Sequence, residues 1–266
     1  MKIIIDTDLA SVSGAAVVDN VTSCVASSED ANFPDENLRD DFTTNLWKAA
    51  SGTTATITLQ VSKGCAVMLM NTNATAAVVT AGSGETYTLE AGYTLETGYS
   101  LSADEVAVIE VYKLPGSAGR LWAGYSEFTG PHIVTISLTA ATPVSAGIVR
   151  AGNVEEFKDP APGLGESSVD FSIEKEFNNG ADYFRKRNVV RTYDALQMVE
   201  TRPNAWTFKH DIFDAVGPKP LAIRLVQNAN ITDDEFVIFA RRLDPPHLEH
   251  VSNAHSRVTF SLREVI

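Results

Sequence analysis

The chain has 266 residues, 44% of them hydrophobic, and a mean hydropathy of -0.04, values that suit one large or two ordinary globular domains with real cores. Its net charge of -13 opposes a phosphate backbone and argues against a nucleic-acid partner. No apolar run reaches the ~18 residues of a helical membrane span, so no membrane insertion is expected.

The acidity is uneven. Residues 1–150 hold 7 basic and 16 acidic side chains, a charge of -9, and residues 151–266 hold 14 and 18, a charge of -4. The start, Met1-Lys2-Ile3-Ile4-Ile5-Asp6, reads as an opening strand. It lacks the long apolar region and small-residue cleavage site of a secretory signal, so synthesis in a cytoplasm is expected. Two cysteines, Cys24 and Cys65, are either buried thiols or one disulfide, and spacing does not decide between them.

In chain order, Thr56 to Val61 alternates, with Ile57, Leu59 and Val61 on one face. Ala66–Met70 and Ala76–Thr80 are short apolar runs around the turn-prone Asn71-Thr72-Asn73. Glycines 82, 84, 92 and 98 punctuate the next segment, and Val106–Val111, Ile133–Leu138 and Val144–Val149 read as strands. Short strands about every 10 residues predict an antiparallel sandwich or barrel. The Pro/Gly run Lys158 to Gly165 is the clearest break. Beyond it, Val169–Ile173, Tyr183–Asn188, Val190–Tyr193, Leu221–Val226, Phe236–Ala240 and Val258–Leu262 read as strands. Phe208, Ile212, Phe213 and Val216 lie on one face of a predicted helix near 204–216, with Pro203 at its start and Gly217-Pro218 at its end.

Four clusters could carry chemistry. The acidic loop Asp30, Asp35, Glu36, Asp40 and Asp41 offers oxygen ligands without EF-hand spacing, so it is either a cation site or a solvated loop. His247, His250 and His255 are close enough in sequence to bind zinc, yet Pro245-Pro246 excludes the helical metalloprotease geometry and ordinary loop histidines fit better. Arg185, Lys186, Arg187 and Arg191 are the one basic cluster, either a docking patch for an acidic partner or a charged strand edge. Adjacent acids such as Glu155-Glu156 and Asp233-Asp234 would face opposite ways in a strand. No nucleophile elbow, phosphate-cradling loop or dinucleotide fingerprint occurs, so neither enzymatic activity nor a cofactor is expected.

Asn37-Leu38, Trp47, Ile57-Thr58-Leu59 and Asn71-Thr72-Asn73, closed by His132–Leu138 and Gly147–Gly152, resemble the discoidin-like, galactose-binding-type sandwich over roughly residues 15–155. The resemblance implies an all-β fold, with a discoidin-like jelly-roll at 1–157 and a second β-rich region at 158–266 carrying the helix. It also implies a sugar site built from His, Arg and aromatics, for which Arg120, Trp122, Tyr125 and His132 are the candidates. The second half, from Val169-Asp170-Phe171-Ser172 through Gly180–Arg187 to Phe260–Ile266, is similar to tail-tip and baseplate proteins of tailed bacteriophages. That resemblance implies a virion structural protein in a symmetric, homo-oligomeric ring with other tail proteins. Glycan-mediated host attachment is the alternative. The glycan reading expects Trp122 and Tyr125 to be exposed.

Overall fold

A computed structural model describes residues 1–6, 20–42, 44–82, 106–109, 119–161, 165–176, 182–185, 189–226 and 236–265. The glycine-punctuated stretch 84–98 and the pair Asp233-Asp234 lie outside the described residues. The first strands are β1 (Lys2–Ile5), β2 (Val21–Ala26), β3 (Trp47–Lys48), β4 (Thr54–Val61), β5 (Gly64–Thr72), β6 (Ala76–Gly82) and β7 (Val106–Ile109). There follow β8 (Gly119–Phe128), β9 (His132–Thr139), β10 (Ser145–Ala146), β11 (Ile148–Glu156), β12 (Gly165–Asp170), β13 (Ile173–Glu176) and β14 (Asp182–Arg185). The last are β15 (Val189–Thr201), β16 (Leu221–Arg224), β17 (Val237–Arg242), β18 (His247–His250) and β19 (His255–Glu264). One helix, α1 (Arg202–Trp206), runs on as a π-helical stretch over Thr207–Asp214. No helix among the described residues is long and apolar enough to cross a membrane.

The protein is all-β and antiparallel, as the spacing of its short strands predicts. Five strands, in the order β2-β4-β9-β6-β7, form one sheet. A second sheet runs β12-β15-β19-β17-β16-β1-β11-β5-β8, with β18 added on β19. The two sheets pack as a sandwich over a core that includes Ile57, Leu59, Val67, Leu69, Leu121 and Trp47. β4 alternates as read, with Ala55, Ile57, Leu59 and Val61 inward. The Asn37-Leu38…Trp47 signature has a physical basis. Asn37 Nδ2 donates to Leu46 O (2.8 Å), Leu38 and Trp47 are fully buried, and the indole N–H donates to Ser28 O (3.1 Å). Asn73 ties the 142–145 turn to β5 by donating to Pro143 O (2.8 Å) and accepting from Ser145 N (2.8 Å).

The long sheet curls until β8 comes back to β17, where Arg120 Nη1 donates to Val237 O (3.1 Å). Its inner face encloses a second core of Ile4, Met68, Met70, Trp122, Val237 and Phe239. β5 is therefore buried on both faces: Val67 and Leu69 serve the sandwich, and Ala66, Met68 and Met70 serve the curl. A strand covered on both sides reads as a continuous apolar run rather than an alternation, which accounts for the unbroken Ala66–Met70. The helix packs on the outer face of the second half, where Phe208 meets Phe157, Phe213 and Phe260 at ring separations of 5.1, 4.6 and 5.0 Å. Thr201 caps it, and it ends at Gly217, whose φ of 69° suits glycine at a helix C-terminus.

β1 belongs to both halves. It pairs with β11 on one side and β16 on the other. Met1, Ile3 and Ile5 enter the helix-side core, and Ile4 enters the curl. The Pro/Gly run falls just after β11, yet the sheet passes unbroken through β1 from residues before that run to residues after it. The close approach of β1 and β11 depends on Gly152, because a Cβ there would meet Ile5 O at 2.2 Å. Gly152→Ala is expected to push β1 off β11 and destabilise the fold by about 1–3 kcal/mol. Urea unfolding followed by both fluorescence and circular dichroism should show one transition shifted to lower denaturant, since both halves share the strand.

Candidate functional site

Arg120, Trp122, Tyr125 and His132 do not form an exposed sugar site. Gly119–Phe128 is a ten-residue strand, covered on both faces over Gly119–Ala123 and exposed at Gly124, Ser126 and Glu127. Trp122 is 5% exposed and Tyr125 7%, so the expectation that both stand free is overturned. The second half supplies the cover: Val237 and Phe239 join Trp122 in the curled core. A recess of about 360 Å³ is lined by Trp122 and Tyr125 together with Lys2, Cys65, Ser126 and Glu156, and Lys2 is ion-paired to Glu156 (2.5 Å).

Tyr125 and His132 do meet, inside the sandwich. The Tyr125 hydroxyl lies 3.0 Å from His132 Nε2, His132 Nδ1 lies 3.1 Å from Gly130 O, and Phe128 stacks on the imidazole at 4.5 Å. The neutral tautomer with its proton on Nδ1 satisfies both contacts: Nδ1–H donates to Gly130 O and Nε2 accepts from the phenol. Burial lowers the imidazole pKa and outweighs the opposing pull of the Gly130 carbonyl. Burial likewise pushes the Tyr125 phenol up. The pair is a packing element whose neutral form is favoured by burial.

Arg120 has a different task. Its Nη2 donates to Glu264 Oε1 (3.0 Å), and Arg191 donates to the same carboxylate through Nε (2.9 Å) and Nη2 (3.0 Å). Glu264 is 9% exposed, so two guanidinium groups share one nearly buried carboxylate, a geometry in which losing either partner strands a charge. This clamp ties β8 to β15 and β19. It removes Arg191 from the basic patch read in the sequence. Arg185 is exposed at the end of β14, and Lys186 and Arg187 lie outside the described residues.

The acidic loop is mostly committed to local structure. Asp30 accepts from Asn32 N (2.9 Å) and Asp40 from Phe42 N (2.8 Å). Asp41 pairs with Arg150 (3.0 Å), which also holds Asp6 (3.1 Å) and lies over the Phe239 ring at 5.0 Å. Among the described residues the carboxylates that come within 4.8 Å of one another are those of Glu29, Asp35 and Glu36. Asp35 is already engaged by Ala26 N (3.1 Å), and Glu29 by Asp35 N (3.0 Å). His247 and His250 sit three apart in β18, on opposite faces, and His250 Nδ1 lies 2.9 Å from Ser256 Oγ. His247, His250 and His255 do not converge on a common ligand position. Cys24 and Cys65 are free thiols, and burial raises Cys24 to about 12.

The feature the sequence did not reveal is an exposed arm. β15 bulges between Tyr193 and Leu196, where Ala195 takes a φ of 51°, stays paired with β19 at Tyr193 and Thr192, and runs past it over Val189–Arg191. Its outer half carries β12, an edge strand in which all six residues are exposed. Val169, Phe171 and Val189 stand exposed along this arm, and the hairpin β13–β14 follows it in sequence.

No family model and no curated protein matches this chain. Among solved structures, reduced XRCC1 bound to the catalytic domain of DNA polymerase beta is 19% identical, over 50% of this chain and 95% of that one, with a TM-score of 0.33. Chitosan-binding module 1 of a chitosanase/glucanase from Paenibacillus sp. IK-5 is 18% identical, over 52% and 96%, also at 0.33. Nothing about ligand or partner transfers at this level of similarity.

Because the folded pKa of His132 lies below the ordinary 6.5, the unfolded chain binds the extra proton first as pH falls. The stability associated with neutral His132 is complete above about pH 6.5 and is lost as pH drops below it. Denaturant unfolding at several values between pH 5 and 8 should show this loss, and His132→Gln should flatten it.

Proposed function

We propose that this chain is a structural component of a bacteriophage tail tip or baseplate, working by protein–protein contact in a symmetric ring. The observation that carries the reading is the arm. β12 is paired to β15 along one edge, and among the described strands nothing pairs with its other edge. An exposed edge strand presents a row of backbone donors and acceptors that another chain can extend. Glu166 and Asp170 keep the isolated strand soluble, and Val169 and Phe171 supply apolar contact once a neighbour docks. The order of motifs after the Pro/Gly run, similar to tail-tip proteins, supports the same reading. A ring of like subunits needs one such surface per subunit, matched to a second patch on the next.

The arm can be altered without touching a core, since Val169 and Phe171 are both exposed. Sedimentation over a range of concentrations should show self-association by the native chain, and Val169→Glu/Phe171→Glu should weaken it at least tenfold with the melting temperature unchanged. A chain that stays monomeric at high concentration, with antibody against it failing to label tail tips of phage particles from the source, would remove the reading.

A further inference from the structure

Trp206 is an exposed aromatic platform on the helix of the second half. Of the three tryptophans, Trp47 and Trp122 are buried, whereas Trp206 is 56% exposed. It sits where α1 passes into the π-helical stretch. Its indole is held in place. The His210 ring packs against it with centroids 4.0 Å apart, Asp214 holds His210 Nδ1 (3.1 Å), and Arg242 from β17 holds Asp214 (3.1 Å). The ring is thus propped from below by a relay anchored in the sheet, so little side-chain freedom remains to be lost on binding.

We propose that the outer face of Trp206 stacks a pyranose ring of a neutral surface glycan. An indole left 56% exposed does not enclose a small apolar ligand, which needs a concave pocket to cover most of its surface. The surround is polar: within Arg202–Asp211 the other exposed residues are Arg202, Pro203, Asn204 and Asp211. An isolated aromatic face with hydrogen-bonding side chains about it matches the C–H face and rim hydroxyls of a sugar. It does not match a protein hot spot, which sits at the centre of a well-packed, desolvated patch. The net charge of -13 disfavours anionic glycans and anionic lipid surfaces. This binding role is independent of the arm and stands or falls separately from it.

Isothermal titration calorimetry measures binding in every variant, and Trp206 emission reports the site in chains that keep this indole, since Trp47 and Trp122 are buried. The full chain is titrated with cello-, malto- and N-acetylglucosamine oligosaccharides. The expected result is a saturable binding signal with at least one series, with affinity reduced at least tenfold in Trp206→Ala and largely retained in Trp206→Phe. Asp214→Ala, which removes the partner of His210 Nδ1 and loosens the prop behind an intact indole, should weaken binding several-fold. The proposal is overturned if no series gives a saturable change up to about 10 mM, a range that covers the weakest specific affinities. It is also overturned if Trp206→Ala binds as the native chain does, or if that variant loses only self-association in sedimentation, which would make Trp206 a protein contact.

Discussion

Lys2–Ile5 hold two cores in register because this strand is buried on both faces and paired on both edges. Ile3 and Ile5 point to the helix, Ile4 points into the curl, β11 lies to one side and β16 to the other. Each buried isoleucine contributes about 1.5–3 kcal/mol. The ladder between β1 and β11 closes only because Gly152 has no side chain. Without β1 the long sheet would part, and the two halves would lose their common wall.

That shared wall determines where function can reside. Curling the sheet brings β17 over β8, which buries Trp122 and turns Arg120 toward Glu264. The face on which a sugar site was expected is thereby spent on packing. Glu264 then joins Arg120 and Arg191 at the root of the arm, so the strand that carries β12 is fixed where it leaves the core. Beyond Thr192 the strand runs past the end of β19, with β12 as its remaining partner. Rigidity at the base and exposure at the tip are what an assembly surface requires, since a preformed edge loses little conformational freedom on pairing.

The sequence made the strand content and the helix face legible, because period-2 and helical spacing survive in Ile57-Leu59-Val61 and in Phe208, Ile212 and Phe213. It also made the Asn37…Trp47 module legible, since those side chains act locally. Tertiary cover was not legible. Trp122 and Tyr125 read as candidate sugar-binding aromatics, but the second half folds over Trp122 and the sandwich core takes in Tyr125. Arg191 read as part of a run of positive charge, but its partner Glu264 lies 73 residues away. The exposure of β12 and of Trp206 was equally hidden. The polar run Gly165–Asp170 does not by itself say that one edge lacks a partner, and tryptophan is highly buried on average, so nothing in the sequence marks Trp206 as exposed.

β12 is an open edge among the described strands, and on the proposed reading it closes when the subunits assemble. Hydrogen exchange followed by mass spectrometry, on the dilute chain and on the assembled particle, tests it most directly. The account predicts that peptides spanning Gly165–Asp170 exchange quickly in the free chain and slowly in the assembly, with Lys2–Ile5 among the slowest in both. Equal, rapid exchange of Gly165–Asp170 in both states, or protection gained on another surface instead, would contradict it.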